Sequence, residues 1–190
     1  MLQPNNKPCD QYLSDKDYLV HMISHHQVAV DISKEMQQKS NNPVMHKILR
    51  ELIWTQNREI MMMKDILYNL PSGISDSNLQ MKTIYVNTIL DFTKTASDPT
   101  AKCSPEFFDP ELHKKHISHM NLDEKMYLKH MIPHHQVAVD MSKRLLTHTN
   151  NDFMIAFAYR IIRSQQHEIS YMTQLLQNLE GWSWTSELIT

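Results

Sequence analysis

The chain has 190 residues, with 19 Lys+Arg against 21 Asp+Glu for a formal net charge of −2, and it carries 12 His and 14 Met beside only 2 Gly and 2 Cys. The length suits one compact domain with a sizeable core. The balanced charge excludes the basic face of a dedicated nucleic-acid binder, no apolar run approaches the ~20 residues of a membrane-spanning helix, and so few glycines disfavour β-rich and dinucleotide-binding architectures.

In chain order, the first 20 residues lack a basic start and an apolar stretch, so no signal peptide is expected and the chain reads as soluble, its compartment open. Cys9 and Cys103 are too few for a disulfide scaffold; they bridge once or stand as two thiols. Ser14 with Asp17 has the capping-box pattern and opens a helix over 15–39. Asn42 before Pro43 opens a second, over 43–70, which Pro71 ends. Residues 71–120 form a crossover, with a helix near 76–96, a loop rich in Pro and Ser, and a short helix opened by Asp109 and Pro110. Asn121 with Glu124 caps a helix over 122–148; Asn151 and Asp152 open another over 152–179, with Gly181 beyond its end. Trp182 and Trp184 are expected to pack the tail onto the rest.

A repeat organises these elements. Residues 18–34 (YLVHMISHHQVAVDISK) recur as 127–143 (YLKHMIPHHQVAVDMSK), with fourteen identities in seventeen positions at an offset of 109. The offset holds into the next helix, where Gln56, Glu59, Ile60, Met63 and Leu67 match Gln165, Glu168, Ile169, Met172 and Leu176. Residues 12–70 and 121–179 are therefore two copies of one helical hairpin, joined by the 71–120 crossover in a single domain of residues 1–190. The expected fold is an all-α four-helix bundle.

At about 100° per residue, Met22 centres the inward face of the first helix, His25 and His26 lie within about 60° of it, and His21 sits on the shoulder. Met131, His134, His135 and His130 repeat the pattern. In the second helix, Gln56 lies inside the apolar stripe and Glu59 on its edge beside Met63. Folding the hairpin about residues 40–41 puts His26 near Gln56 and Met22 near Glu59, so that four His, two Glu, two Gln and four Met converge on the bundle axis.

Buried polar groups cost about 1–3 kcal/mol each unless paired, so this convergence needs a compensating partner. Neutral imidazole is the commonest protein metal ligand and thioether selects Cu(I). Mixed His and Met therefore point to copper, as Cu+ or Cu2+, ahead of zinc or iron. His25, His26, His134 and His135 are the main candidate ligands, Met22, Met131, Met63 and Met172 the soft ones, while Glu59 and Glu168 orient imidazoles or complete the shell. His21 and His130 are weaker candidates. A second cluster, His113, His116, His119 and Met120, occupies the crossover. His113, His116 and Met120 share one side of a helix, as an auxiliary copper site or a solvated face. His46, His148 and His167 have no repeated partner and read as surface residues.

The function this supports is copper storage, sequestration or delivery, with a second copy of the chain or a delivery protein as the macromolecular partner it allows. Two alternatives stand beside it. A metal-dependent oxidoreductase needs an open coordination position. A metal-free structural or interaction bundle needs each inward His to be satisfied by the Glu or Gln of its own hairpin. Di-iron carboxylate chemistry is disfavoured, because Glu59 and Glu168 are followed three residues on by Met62 and Tyr171 rather than His. No catalytic residue is nominated.

The motifs Met22-Ile23-x-His25-His26 with Gln56-x-x-Glu59-Ile60-x-x-Met63, and Met131-Ile132-x-His134-His135 with Gln165-x-x-Glu168-Ile169-x-x-Met172, resemble the domain of unknown function 305 family. The resemblance implies a ferritin-like bundle and a link to copper binding or copper tolerance. Many family members are exported or membrane-anchored, which this chain does not show, and the crossover with its own His cluster is not part of the family motif.

Overall fold

The computed structural model describes residues 13–70, 104–118 and 122–181, with backbone alone for 116–118. The expected helix near 76–96, Pro71, Asn121, Trp182, Trp184 and both cysteines lie outside the described residues. All regular structure among the described residues is helical.

Local capping explains where each helix starts. α1 (Asp15–Lys39) begins where the Ser14 hydroxyl accepts from the Asp17 N–H at 3.1 Å and donates to the Asp17 carboxylate at 2.8 Å. α2 (Pro43–Asn69) begins at Asn42, whose side chain accepts from Val44 N–H at 2.9 Å, with Pro43 filling a position that needs no donor. A short 3-10 helix (Pro105–Phe108) precedes α3 (Pro110–Ser118), which Asp109 caps by accepting from Glu111 and Leu112 at 3.0 Å each. α5 (Asp152–Leu179) repeats the Asn cap, Asn151 accepting from Phe153 N–H at 3.0 Å. Gly181 follows its end at φ 85°, the left-handed conformation that favours glycine.

α4 departs from expectation. It spans Glu124–Leu146 rather than 122–148, and its cap is Asp123, which accepts from Met126 N–H at 2.8 Å. Glu124 therefore does not close a capping box. Its carboxylate accepts from Ser40 and Asn42, fastening the turn of the first hairpin to the start of α4. His46 and His148 are also more than surface residues. His46 Nε2 meets the Ser40 carbonyl and His148 Nε2 the Leu13 carbonyl, each at 2.7 Å. His167 is exposed, as expected.

α1 packs along α2 and α4 along α5, and the hairpins meet through α1 with α4 and α2 with α5. The Tyr18 hydroxyl bonds Ser142 and the Tyr127 hydroxyl bonds Ser33, both at 2.7 Å. These pairs exchange under the offset of 109, so α1 and α4 run antiparallel about a pseudo-two-fold axis. Both phenols are fully buried, and burial pushes their pKa up, against the opposing serine bonds.

The apolar core is split. One cluster joins the start of α1 and the end of α2 to the end of α4 and the start of α5, including Met22, Met63, Leu145 and Phe157. The other joins the opposite ends, including Met36, Leu49, Met131 and Met172. Between these two clusters in sequence level lie the buried His25, His26, Gln56, Glu59, His134, His135 and Gln165. No helix of the described residues is long and apolar enough to cross a membrane.

Candidate metal centre

The pseudo-two-fold axis passes between His25 and His134, the repeat equivalents at the middle of α1 and α4. Their rings stack at 3.6 Å between centroids, 29° from parallel. Both are buried, and desolvation holds both pKa values well below the ordinary imidazole value, with the neighbouring imidazoles pushing the same way. The pair is therefore neutral near pH 7. Repulsion between two imidazolium rings would otherwise forbid such a stack.

On either side of the stack sits a histidine–carboxylate pair. His26 Nε2 meets Glu59 at 2.9 Å, and His135 Nε2 meets Glu168 at 2.7 Å. The registry is one turn off the expected His26–Gln56 pairing. Helical side chains lean toward their own N-terminus, so on antiparallel helices His26 leans away from the hairpin turn and Glu59 toward it. Gln56 instead reaches across to the other hairpin, its amide nitrogen 3.5 Å from both His135 Nε2 and the Glu168 carboxylate.

The ring nitrogens are used unevenly. His25 Nε2 lies 3.1 Å from the His134 carbonyl. In the neutral form, His25, His26 and His135 thus each place an Nε2 proton on an acceptor and keep a lone pair on Nδ1. Those three Nδ1 atoms are buried without a hydrogen-bond partner, as are both ring nitrogens of His134, Gln56 Oε1 and both amide atoms of Gln165. So many unpaired buried polar atoms in one layer are costly. A carboxylate on one ring nitrogen with the other left free is also the arrangement by which proteins orient a metal-binding histidine. Met22, Met63, Met131 and Met172 are fully buried, one pair in each apolar cluster. The residues thus fit a soft cation held by imidazole and thioether. Among the described residues, no three His, Cys, Asp or Glu side chains are grouped to hold a metal by themselves.

The weaker candidates separate. His130 leaves the belt to meet His113 of α3, Nε2 to Nε2, at 3.0 Å. His21 packs edge-on to Phe108 at 5.9 Å. The His116 side chain, His119 and Met120 lie outside the described residues.

Several neighbours of the belt were not anticipated. Phe107 packs edge-on against His134 at 4.9 Å and His130 at 5.2 Å, closing the belt from the crossover side. Nothing in the repeat announces Phe107, which has no counterpart there. Ser164 donates to Glu59 at 2.8 Å, and Arg160 Nε lies 3.9 Å from the same carboxylate. Tyr18 and Ser33, by contrast, recur identically as Tyr127 and Ser142, and that recurrence is a legible signal.

The domain of unknown function DUF305 matches residues 9–67 and 111–183, more than half of the chain. The chain belongs to the DUF305 family. Among solved structures, this DUF305 chain is similar to CopM in the Cu(II)-bound form, with a TM-score of 0.63 and 26% identity over 89% of this chain and 99% of that one. CopM in the Cu(I)-bound form gives 0.58 and 29% over 88% and 99%. A DUF305 fragment from Deinococcus radiodurans gives 0.59 at 20% identity over 86% and 95%, a likeness of fold. An uncharacterised protein of Acanthamoeba polyphaga mimivirus is 44% identical over 55 residues, 29% of this chain and 36% of that protein. The chain thus spans about a third of that relative's length.

Proposed function

We propose that this chain is a copper-binding protein that holds the ion as cargo, for storage, sequestration or delivery, in the polar belt between its two apolar clusters. The observation that carries this reading is the set of buried, unpartnered Nδ1 atoms on His25, His26 and His135, each on a ring already anchored through Nε2. His134, with both nitrogens unpartnered, completes the set. Glu59 and Glu168 fix the His26 and His135 rings. Met22, Met63, Met131 and Met172 supply thioethers from the flanking clusters, and thioether favours Cu(I). The neutral state of His25 and His134 leaves their lone pairs available without loss of a proton. The similarity to CopM, whose structures include Cu(I)-, Cu(II)- and Ag-bound forms, supports the same class of ion.

The test is titration of the metal-free full-length chain with Cu(I) and Cu(II). At least one ion is expected to bind per chain, and substituting His25, His26, His134 and His135 together by Gln should abolish the tight component. Binding to the native state should also raise the melting temperature, by the equivalent of ~2.7 kcal/mol at a hundredfold excess over Kd. A second reading rests on the His26–Glu59 and His135–Glu168 bonds themselves, which let a metal-free bundle give two of its four inward histidines a carboxylate partner. That reading requires the melting temperature to stay unchanged on adding copper.

A further inference from the structure

The two hairpins differ on their outer faces. On α2, Trp54, Met61 and Tyr68 stand seven residues apart, within about 40° of one another around the helix. They are 63%, 72% and 88% exposed. The same positions of α5, at the offset of 109, hold Arg163, Ser170 and Gln177. The bundle therefore folds without apolar side chains on that face, yet one half carries three of them into solvent. The stripe lies opposite the buried Gln56 and Glu59, so it takes no part in the belt. Charges border it in order. Arg50 and Lys64 fall on one flank with Asn57, and Glu51 and Asp65 on the other with Arg58. Arg50, Glu51, Lys64 and Asp65 are all exposed, and none meets an opposite charge among the described residues. Arg58 lies over the Trp54 ring at 5.4 Å.

We infer that this face of α2 docks a second copy of the chain, the two α2 helices lying parallel about a two-fold axis that runs along them. Such an axis sets each residue level with its own copy and brings opposite flanks together. Trp54, Met61 and Tyr68 then stack on their counterparts along the seam. Glu51 meets Arg50 of the partner subunit and Asp65 meets Lys64 of the partner subunit, each pair occurring twice. All four unpaired charges are satisfied in this way. An antiparallel pairing centred on Met61 joins only Arg58 to Asp65 and leaves Arg50 and Glu51 without partners, so charge selects the parallel form. Lys47, next in the same row, leans 5.8 Å over Tyr171 of α5 and off the seam. Three large side chains and two charge pairs a side make a small interface, below about 1,200 Å² in total, as in weak and reversible complexes.

The dimer does not rest on the copper reading, and it is tested without metal. Sedimentation equilibrium of the metal-free full-length chain is run with a reductant, so that Cys9 and Cys103 cannot cross-link copies. The average mass is expected to rise from one chain toward two with concentration. Trp54→Arg, which installs the residue of the α5 counterpart, should weaken the dimer by about tenfold or more while helical circular dichroism stays unchanged. Arg50→Glu and Glu51→Arg should each weaken it by about tenfold, because each sets like charges together, and the double exchange should restore native affinity. A single chain at every concentration overturns the inference and leaves the face to a different protein or to residues 71–103 of its own chain. A dimer that survives Trp54→Arg, or that the double exchange fails to restore, overturns it as well.

Discussion

The His26–Glu59 and His135–Glu168 halves of the belt are written by one repeated motif, yet they end in different surroundings. Glu59 is fully buried and collects the Ser164 hydroxyl and the nearby Arg160 side chain in addition to His26. Glu168 keeps 11% of its side chain exposed and has His135 plus a long contact from Gln56. The residues that make this difference fall where the repeat has drifted: Ser164 corresponds to Thr55, and Arg160 to Glu51. A shared motif thus fixes the histidine–carboxylate bond, while the unshared helix faces set how deeply each bond is held. The first carboxylate is the more deeply buried, with the Arg160 side chain 3.9 Å away. The second half is the more accessible.

The largest expected break in this comparison comes from Glu59→Ala. It leaves two buried donors, His26 and Ser164, without their acceptor, at about 1–3 kcal/mol each, so urea unfolding should lose roughly 2–6 kcal/mol. Acidification should follow. His25 and His134 have folded pKa values below the unfolded value of about 6.5, so the unfolded state binds more protons and stability rises with pH. Their contribution is complete above pH 6.5 and is lost on lowering the pH through that value, at about 1.4 kcal/mol per pH unit for each ring. Urea midpoints between pH 7.5 and 5.5 should show this fall, with roughly half the slope in His134→Gln. Glu168→Ala should cost about 1–3 kcal/mol, less than its counterpart, because the carboxylate is already partly wet. Equal costs at Glu59 and Glu168 would remove the distinction between the halves.

Smaller changes sharpen it. Met131→Leu conserves volume and should change stability by less than ~1.5 kcal/mol, while weakening Cu(I) binding at least tenfold in a competition assay if its thioether is a ligand. Met61→Ser makes the first hairpin match Ser170 of the second at a side chain that is 72% exposed, and its effect should stay within ~0.5 kcal/mol.

These contrasts also mark what the sequence could convey. Helix limits were legible to within two residues, because Ser14, Asn42, Asp109 and Asn151 are caps whose bonds depend only on near neighbours. The inward set was legible from periodicity; His25, His26, Gln56, Glu59, His134 and His135 are all buried. Pairing within the set was not, since it turns on side-chain lean and on the crossing of α1 with α4. The burial of His113 against His130 was equally hidden, for it depends on how the crossover packs on α1.

The exchange of Tyr18–Ser142 for Tyr127–Ser33 has one more consequence. Two separate hairpins related in this way would form a dimer whose joint centre comes apart on dilution. Carried on one chain, the halves never have to find each other, and the belt assembles at any protein concentration. A true dimer must also change both halves at once, whereas here each can be altered alone, as the surroundings of Glu59 and Glu168 already have been.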